Sequence, residues 1–144
     1  ENTALAVGFA KALEITYNNI EIYKKRTNLL RHNFESAIKS EFPETVINGE
    51  NAQRCCSITS LTFPGISADG IIMNLDLEGI CVSAGSACAS GSITPSHVLT
   101  AMGIEKSNAK SSIRVSFGKY NTEDETEYLI KTLTKIIKTL KTFK

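Results

Sequence analysis

Hydrophobic side chains recur at near-helical spacing through the first forty residues: Leu5, Phe9, Leu13, Ile20, Tyr23, Leu30, Phe34, Ala37 and Ile38. Lys24, Lys25, Arg26 and Glu35 lie among them as a polar face. The pattern predicts one long helix. It stops at Glu41-Phe42-Pro43, because a proline disfavours helical backbone in the residue before it. Val46-Ile47 reads as a short strand followed by the turn dipeptide Asn48-Gly49. Residues 56–63 alternate, include β-branched side chains and close on Pro64-Gly65, which predicts a better strand.

Ser67 then looks like the cap of a short helix through Ile71, Ile72 and Leu75, with Gly79 as its stop. Ile80-Cys81-Val82 reads as a short buried strand. Thr94-Pro95 opens the next helix, which carries Val98, Leu99 and Met102 and ends at Gly103. Residues 112–117 alternate strongly and form a strand. Thr122-Glu-Asp-Glu125 is a capping box that starts the last helix, whose buried stripe is Leu129, Leu133, Ile136 or Ile137, and Leu140. Its first-turn acids and later lysines complement the helix dipole, and the lysines read as a solvated face. The order is helix, strand, strand, helix, strand, helix, strand, helix, without an internal repeat. This is an α/β (α+β) two-layer domain with helices on a small mixed or antiparallel sheet.

The 144 residues suffice for one domain, and 42% hydrophobic with 22% charged residues is globular composition. A net charge of +1 removes the electrostatic case for nucleic acid. No apolar run approaches the ~20 residues of a membrane span. Glu1-Asn2-Thr3 does not resemble a signal peptide. It also lacks an initiator Met, so a processed product or a cut piece of a longer protein is expected.

The four cysteines are Cys55, Cys56, Cys81 and Cys88; none forms a C-x-x-C pair, and His32 and His97 are far apart. A zinc site has little support. Four reduced thiols in a cytoplasmic protein is the preferred reading over a secreted disulfide framework. A buried, inert thiol is the expectation for Cys81 and Cys56. Cys55 is more ambiguous, with no partner that suggests chemistry.

Residues 83–92, Ser-Ala-Gly-Ser-Ala-Cys-Ala-Ser-Gly-Ser, contain only small side chains. Such a stretch gains little burial for the backbone entropy it would lose, so a mobile loop is expected, with Cys88 at its centre. Two readings stay open: a thiol free to react in one place and deliver in another, or a flexible linker that happens to contain a cysteine. Arg114, within the strand Ser112-Ile-Arg-Val-Ser116, is either a structural ion pair or a fork for a carboxylate.

Together these segments resemble the C-terminal part of cysteine desulfurases, the NifS-like branch of the class V aminotransferases. The resemblance rests on Val82-Ser-Ala-Gly-Ser-Ala-Cys88-Ala-Ser-Gly-Ser, Pro95-Ser-His-Val-Leu99, Met102-Gly103, Ser111-Ser-Ile-Arg114-Val-Ser-Phe-Gly118 and Thr122-Glu-Asp-Glu125. Asn48-Gly49 and the opening Glu1-Asn2-Thr3 also fit. It implies the C-terminal domain of a fold type I pyridoxal-phosphate enzyme that converts L-cysteine to L-alanine. Sulfur is then held as a persulfide on Cys88 and passed to acceptors such as an iron–sulfur scaffold or thiolation proteins. By the same match Arg114 binds the substrate α-carboxylate. The extended loop, taken as 83–93, resembles the long-loop branch of the family. His97, third residue of a proline-started helix, is given no catalytic role.

The family's pyridoxal-binding segment, a histidine followed by the lysine, is missing: His32 precedes Asn33 and His97 precedes Val98. Pyridoxal phosphate is therefore expected in the full-length enzyme and not on this chain. No metal of its own is expected, apart from Cys88 as a transient iron–sulfur ligand through its persulfide. The resemblance covers 1–144 as a C-terminal domain, with 1–41 as a junction helix and the large domain absent. Such a fragment is expected to be inactive alone. It is also expected to expose an apolar face on its first helix, because the parent enzyme is a homodimer with that helix at the domain junction. The alternative is a stand-alone persulfide carrier or interaction module.

Overall fold

A computed structural model describes residues 2–84 and 96–142. Cys88, most of the small-residue segment and Thr94-Pro95 lie outside the described residues. The first helix, α1 (Thr3–Glu41), is capped by Asn2, whose side-chain oxygen accepts from the Leu5 N–H at 3.1 Å. It ends where expected, with the Phe42 N–H still donating to Ile38 O before Pro43.

The strands are β1 (Val46–Ile47), β2 (Ile58–Thr62), β3 (Ser83–Ala84) and β4 (Ser112–Ser116). They form one antiparallel sheet in the order β1-β2-β4-β3. The remaining helices are α2 (Ala68–Leu77), α3 (His97–Ala101), α4 (Lys106–Ala109) and α5 (Glu123–Thr142). The α4 turn has no counterpart in the sequence reading, since Lys-Ser-Asn-Ala is too short and too polar to show a period. Ser67 does precede α2, but its hydroxyl makes no capping bond. The capping box of α5 forms as expected: Glu125 N–H donates to Thr122 Oγ1 and Thr122 N–H to a Glu125 carboxylate oxygen, both at 3.1 Å.

Side chains alternate across a strand, so each register pair assigns a face. Ile47, Leu61, Ile113 and Val115 are buried on one face, in the same core as Leu30, Phe34 and Ile38 of α1, Ile71 and Leu75 of α2, and Leu129, Leu133, Ile136 and Ile137 of α5. The helix layer thus lies on one side of the sheet, as expected for a two-layer domain. The other face carries Asn48, Ser60, Thr62, Ser112, Arg114 and Ser83.

Only the second half of α1 joins this core. Leu5, Phe9, Leu13 and Ile20 stand exposed along one stripe, and Val7, Ile15 and Ile22 along another. The apolar face expected to stand exposed on the first helix is therefore found in its first half.

Three expectations are corrected. The strand predicted at 80–82 is β3 at Ser83–Ala84. Ile80 and Val82 pack against the core, and alternation along this extended segment turns Cys81 outward, so Cys81 is exposed and not a buried hydrophobe. Glu35, read as part of a polar face, is buried because two arginines meet it.

Candidate functional site

The polar face of the sheet is built from short side chains around one long one. Asn48 Nδ2 donates to Ser60 Oγ and to Thr62 Oγ1, each at 3.0 Å, and Thr62 Oγ1 lies 2.7 Å from Ser112 Oγ. Ser112 Oγ in turn donates to Asn108 O at the end of α4. This chain of bonds satisfies one half of the face and fixes the backbone beside Arg114.

Arg114 occupies the middle of a row across three strands, facing Ser60 on β2 and Ser83 on β3. It is half-buried, and its Nε is buried with no hydrogen-bond partner among the described residues. No carboxylate pairs with it among the described residues. A buried guanidinium N–H without an acceptor is costly, so this position is suited to receive an anion. The structural ion pair, one of the two sequence readings of Arg114, does not form among the described residues. Beyond Ser83 and Ala84 the chain runs directly into the segment that carries Cys88.

This face offers hydroxyls, one amide and one guanidinium, with no amine among Asn48, Ser60, Thr62, Ser83, Ser112 and Arg114. These residues do not fit the imine-forming anchor that pyridoxal phosphate requires. They fit a carboxylate-binding wall. His97 is the exposed first residue of α3, in keeping with a surface position. A separate cavity of about 480 Å³ lies between residues 79–82, the end of β4 and the start of α5, where Cys81, Asn121 and Glu125 line it. Arg114 is not among its walls.

The sequence reading missed the polar cluster at the other end of β2. Arg54 grips Glu35 with both ends of its guanidinium, Nη1 to Oε1 at 2.7 Å and Nη2 to Oε2 at 3.1 Å. Arg31 Nη1 stands 3.5 Å from the same Oε1. Burial pushes the Glu35 carboxyl up, but the Arg54 hydrogen bonds and the charges of Arg54 and Arg31 outweigh it and hold it below the ordinary range. Cys55 is exposed and Cys56 is half-buried beside this cluster. The one available signal was the adjacency of two cysteines to Arg54 in sequence.

Residues 1–129 match the family described as aminotransferase class-V. The chain belongs to the aminotransferase class-V family. Its class-V relatives include a cysteine desulfurase IscS of Clostridium botulinum, 38% identical over 140 residues, which cover 96% of this chain and 35% of that protein. A cysteine desulfurase of Nostoc is 37% identical over 141 residues, covering 98% of this chain and 35% of the relative. One from Rickettsia bellii is 40% identical over 129 residues, 90% of this chain and 31% of the relative. The class-V chain thus spans about a third of the length of the curated relatives it matches. The solved NifS-like protein of Rickettsia africae superposes with a TM-score of 0.83 at 33% identity, over 94% of this chain and 35% of that one. A second NifS-like structure gives 0.83 at 29% identity, over 97% and 35%. The small antiparallel sheet with its helix layer is therefore the fold of about a third of a NifS-like protein. No helix of the described residues is long and apolar enough to cross a membrane.

Proposed function

We propose that this chain is the substrate-carboxylate and sulfur-accepting part of a cysteine desulfurase. Arg114 receives the α-carboxylate of L-cysteine. Cys88 takes its sulfur: the thiolate attacks the substrate sulfur, the carbon–sulfur bond breaks, and L-alanine leaves a persulfide on the enzyme. The balance is L-cysteine plus a protein thiol giving L-alanine plus a protein persulfide. Pyridoxal phosphate supplies the electron sink for that bond cleavage and is held by the rest of the enzyme, since neither His32 nor His97 is followed by the lysine that would anchor it.

The observation that carries the reading is the buried Nε of Arg114, without an acceptor among the described residues, on a residue that faces Ser83, the strand position from which the chain enters the Cys88 segment. Four residues lie between Ser83 and Cys88, so chain length alone limits the Cys88 Cα to roughly 18 Å from that strand position. The identity to cysteine desulfurases of three organisms supports the same chemistry.

The apolar first half of α1 supports the fragment reading. A helix that carries large apolar side chains on more than one face is built to be surrounded. Residues 3–22 would run at the junction with the cofactor-binding part, in an enzyme that pairs as a homodimer. Acceptors of the persulfide, an iron–sulfur scaffold among them, follow from the same reading, as does a cytoplasmic setting with reduced thiols.

The test is reconstitution. Alone with L-cysteine and pyridoxal phosphate, the chain should release no more alanine than a Cys88→Ser chain. With the pyridoxal-binding part of the enzyme supplied, alanine formation should appear and depend on Cys88. Alanine release by the isolated chain above the Cys88→Ser level would contradict the division of labour. A reconstituted complex indifferent to Cys88→Ser would contradict the assignment of the thiol.

A further inference from the structure

The hydrogen bonds on the polar face of the sheet have a direction set by their end group. Asn108 O is a carbonyl and can only accept, so Ser112 Oγ gives it its one proton, at 2.7 Å. Ser112 Oγ therefore meets Thr62 Oγ1 as an acceptor at 2.7 Å. Thr62 gives its proton there in preference to Asn48 Oδ1, which stands at 3.2 Å. Thr62 Oγ1 in turn accepts from Asn48 Nδ2 at 3.0 Å, and the second Nδ2 proton goes to Ser60 Oγ, also at 3.0 Å. One proton of the chain is left uncommitted. It belongs to Ser60, whose hydroxyl donates to no acceptor among the described residues.

Ser60 and Arg114 are direct partners across β2 and β4. The bonds from Phe63 N–H to Ser111 O and from Phe117 N–H to Ser57 O fall on alternate pairs of this ladder that skip Ser60–Arg114. Ser60 and Arg114 are therefore a non-hydrogen-bonded pair, the kind whose Cα atoms stand only about 4.5 Å apart and whose side chains approach most closely. Both side chains are half-buried on the same face. We propose that Ser60 is a second donor to the substrate carboxylate at Arg114, its proton turned outward by the chain Asn108–Ser112–Thr62–Asn48. The role of Ser60 rests on the reading of Arg114 as the carboxylate site.

A carboxylate has about four lone-pair sites, and a guanidinium fork fills two of them. A hydroxyl whose oxygen already accepts from an amide presents its proton to the next acceptor, so Ser60 fills a third. Its rotor is fixed before substrate arrives, and less freedom is lost on binding. Asn48 does not reach the substrate. It is a positioning residue that acts through Ser60.

The experiment uses the full chain combined with the pyridoxal-binding part of the enzyme. Ser60→Ala should raise KM for L-cysteine about tenfold, as loss of one bond to a charged group does, with kcat within about twofold. Ser60→Thr, which keeps the hydroxyl, should restore KM. Equilibrium dialysis should show the same weakening by Ser60→Ala for L-alanine and none for ethylamine, which lacks the carboxylate. Asn48→Ala should raise KM about threefold, and adding it to Ser60→Ala should raise KM no further, because both act through one proton. Weakening of L-cysteine and L-alanine by Arg114→Gln but not by Ser60→Ala overturns the role of Ser60 alone. Weakening by neither overturns the carboxylate site as well. A Ser60→Ala effect that ethylamine shares, or Asn48→Ala and Ser60→Ala effects that multiply, also overturns the proposal.

Discussion

Ser83 and Arg114 face each other across the β3–β4 ladder, so a residue just before the Cys88 segment shares a sheet row with an arginine whose buried Nε has no acceptor among the described residues. A two-residue edge strand is a weak element on its own. Here it ties the start of the cysteine segment to β4 at the position of Arg114. In the proposed reaction this register would couple the carboxylate held at Arg114 to the strand from which the Cys88 segment departs.

Replacing Arg114 should be felt in substrate capture first. In the reconstituted enzyme, Arg114→Gln keeps hydrogen-bonding capacity but loses the charged fork. Loss of a charge-assisted bond costs about 2 kcal/mol. This corresponds to roughly a thirtyfold fall in kcat/KM for L-cysteine, carried mainly by KM. Arg114→Lys should recover little, since an ammonium lacks the planar fork. Steady-state kinetics on the three proteins checks this, with thermal unfolding to show that the sheet is intact.

The Glu35–Arg54 pair predicts a stability effect with a definite pH dependence. Arg54→Met leaves a buried carboxylate with only Arg31 nearby and should cost about 3 kcal/mol in urea unfolding at pH 7. The Glu35 carboxyl is held below its unfolded value, so its contribution is complete above pH ~4.3 and is lost as pH falls through the folded value. The urea midpoint of the wild-type chain should therefore drop on going below that pH. A Glu35→Gln chain should show a shallower drop over the same interval.

Much of this architecture is legible in the residues. Pro43 and the Thr122–Glu125 box mark helix ends by local sterics and local hydrogen bonds, and those ends stand where the pattern puts them. What fails depends on partners distant in sequence. Glu35 sits at a polar position of an amphipathic helix and is buried because Arg54, on the far side of β1, reaches it. The strand read at Ile80–Val82 lies at Ser83–Ala84 because pairing with Ile113 and Arg114 sets its register, and Cys81 turns outward as a result. At the site, Arg114 stands out in sequence as an arginine inside an alternating strand. Its facing Ser83, and a buried Nε with no acceptor among the described residues, are properties of the assembled sheet.

The first half of α1 predicts behaviour in solution. Leu5, Phe9 and Leu13 are 70%, 74% and 59% exposed on one stripe, which water does not favour. The isolated chain should self-associate, or its residues 3–22 should exchange amide hydrogens quickly. Phe9→Glu with Leu13→Glu should shift the chain toward monomer in size-exclusion chromatography without lowering the unfolding midpoint of the core. A clean monomer with a well-protected first helix would argue against an unpartnered docking face.

The most direct measurement follows the sulfur. The chain is combined with the pyridoxal-binding part of the enzyme, given L-cysteine carrying labelled sulfur, and digested without reductant so that the label can be mapped. Label should appear on Cys88, be released by reductant and be absent from a Cys88→Ser chain, with alanine formed in step. Label on Cys55, Cys56 or Cys81 alone, or alanine formed with Cys88 unlabelled, would contradict it.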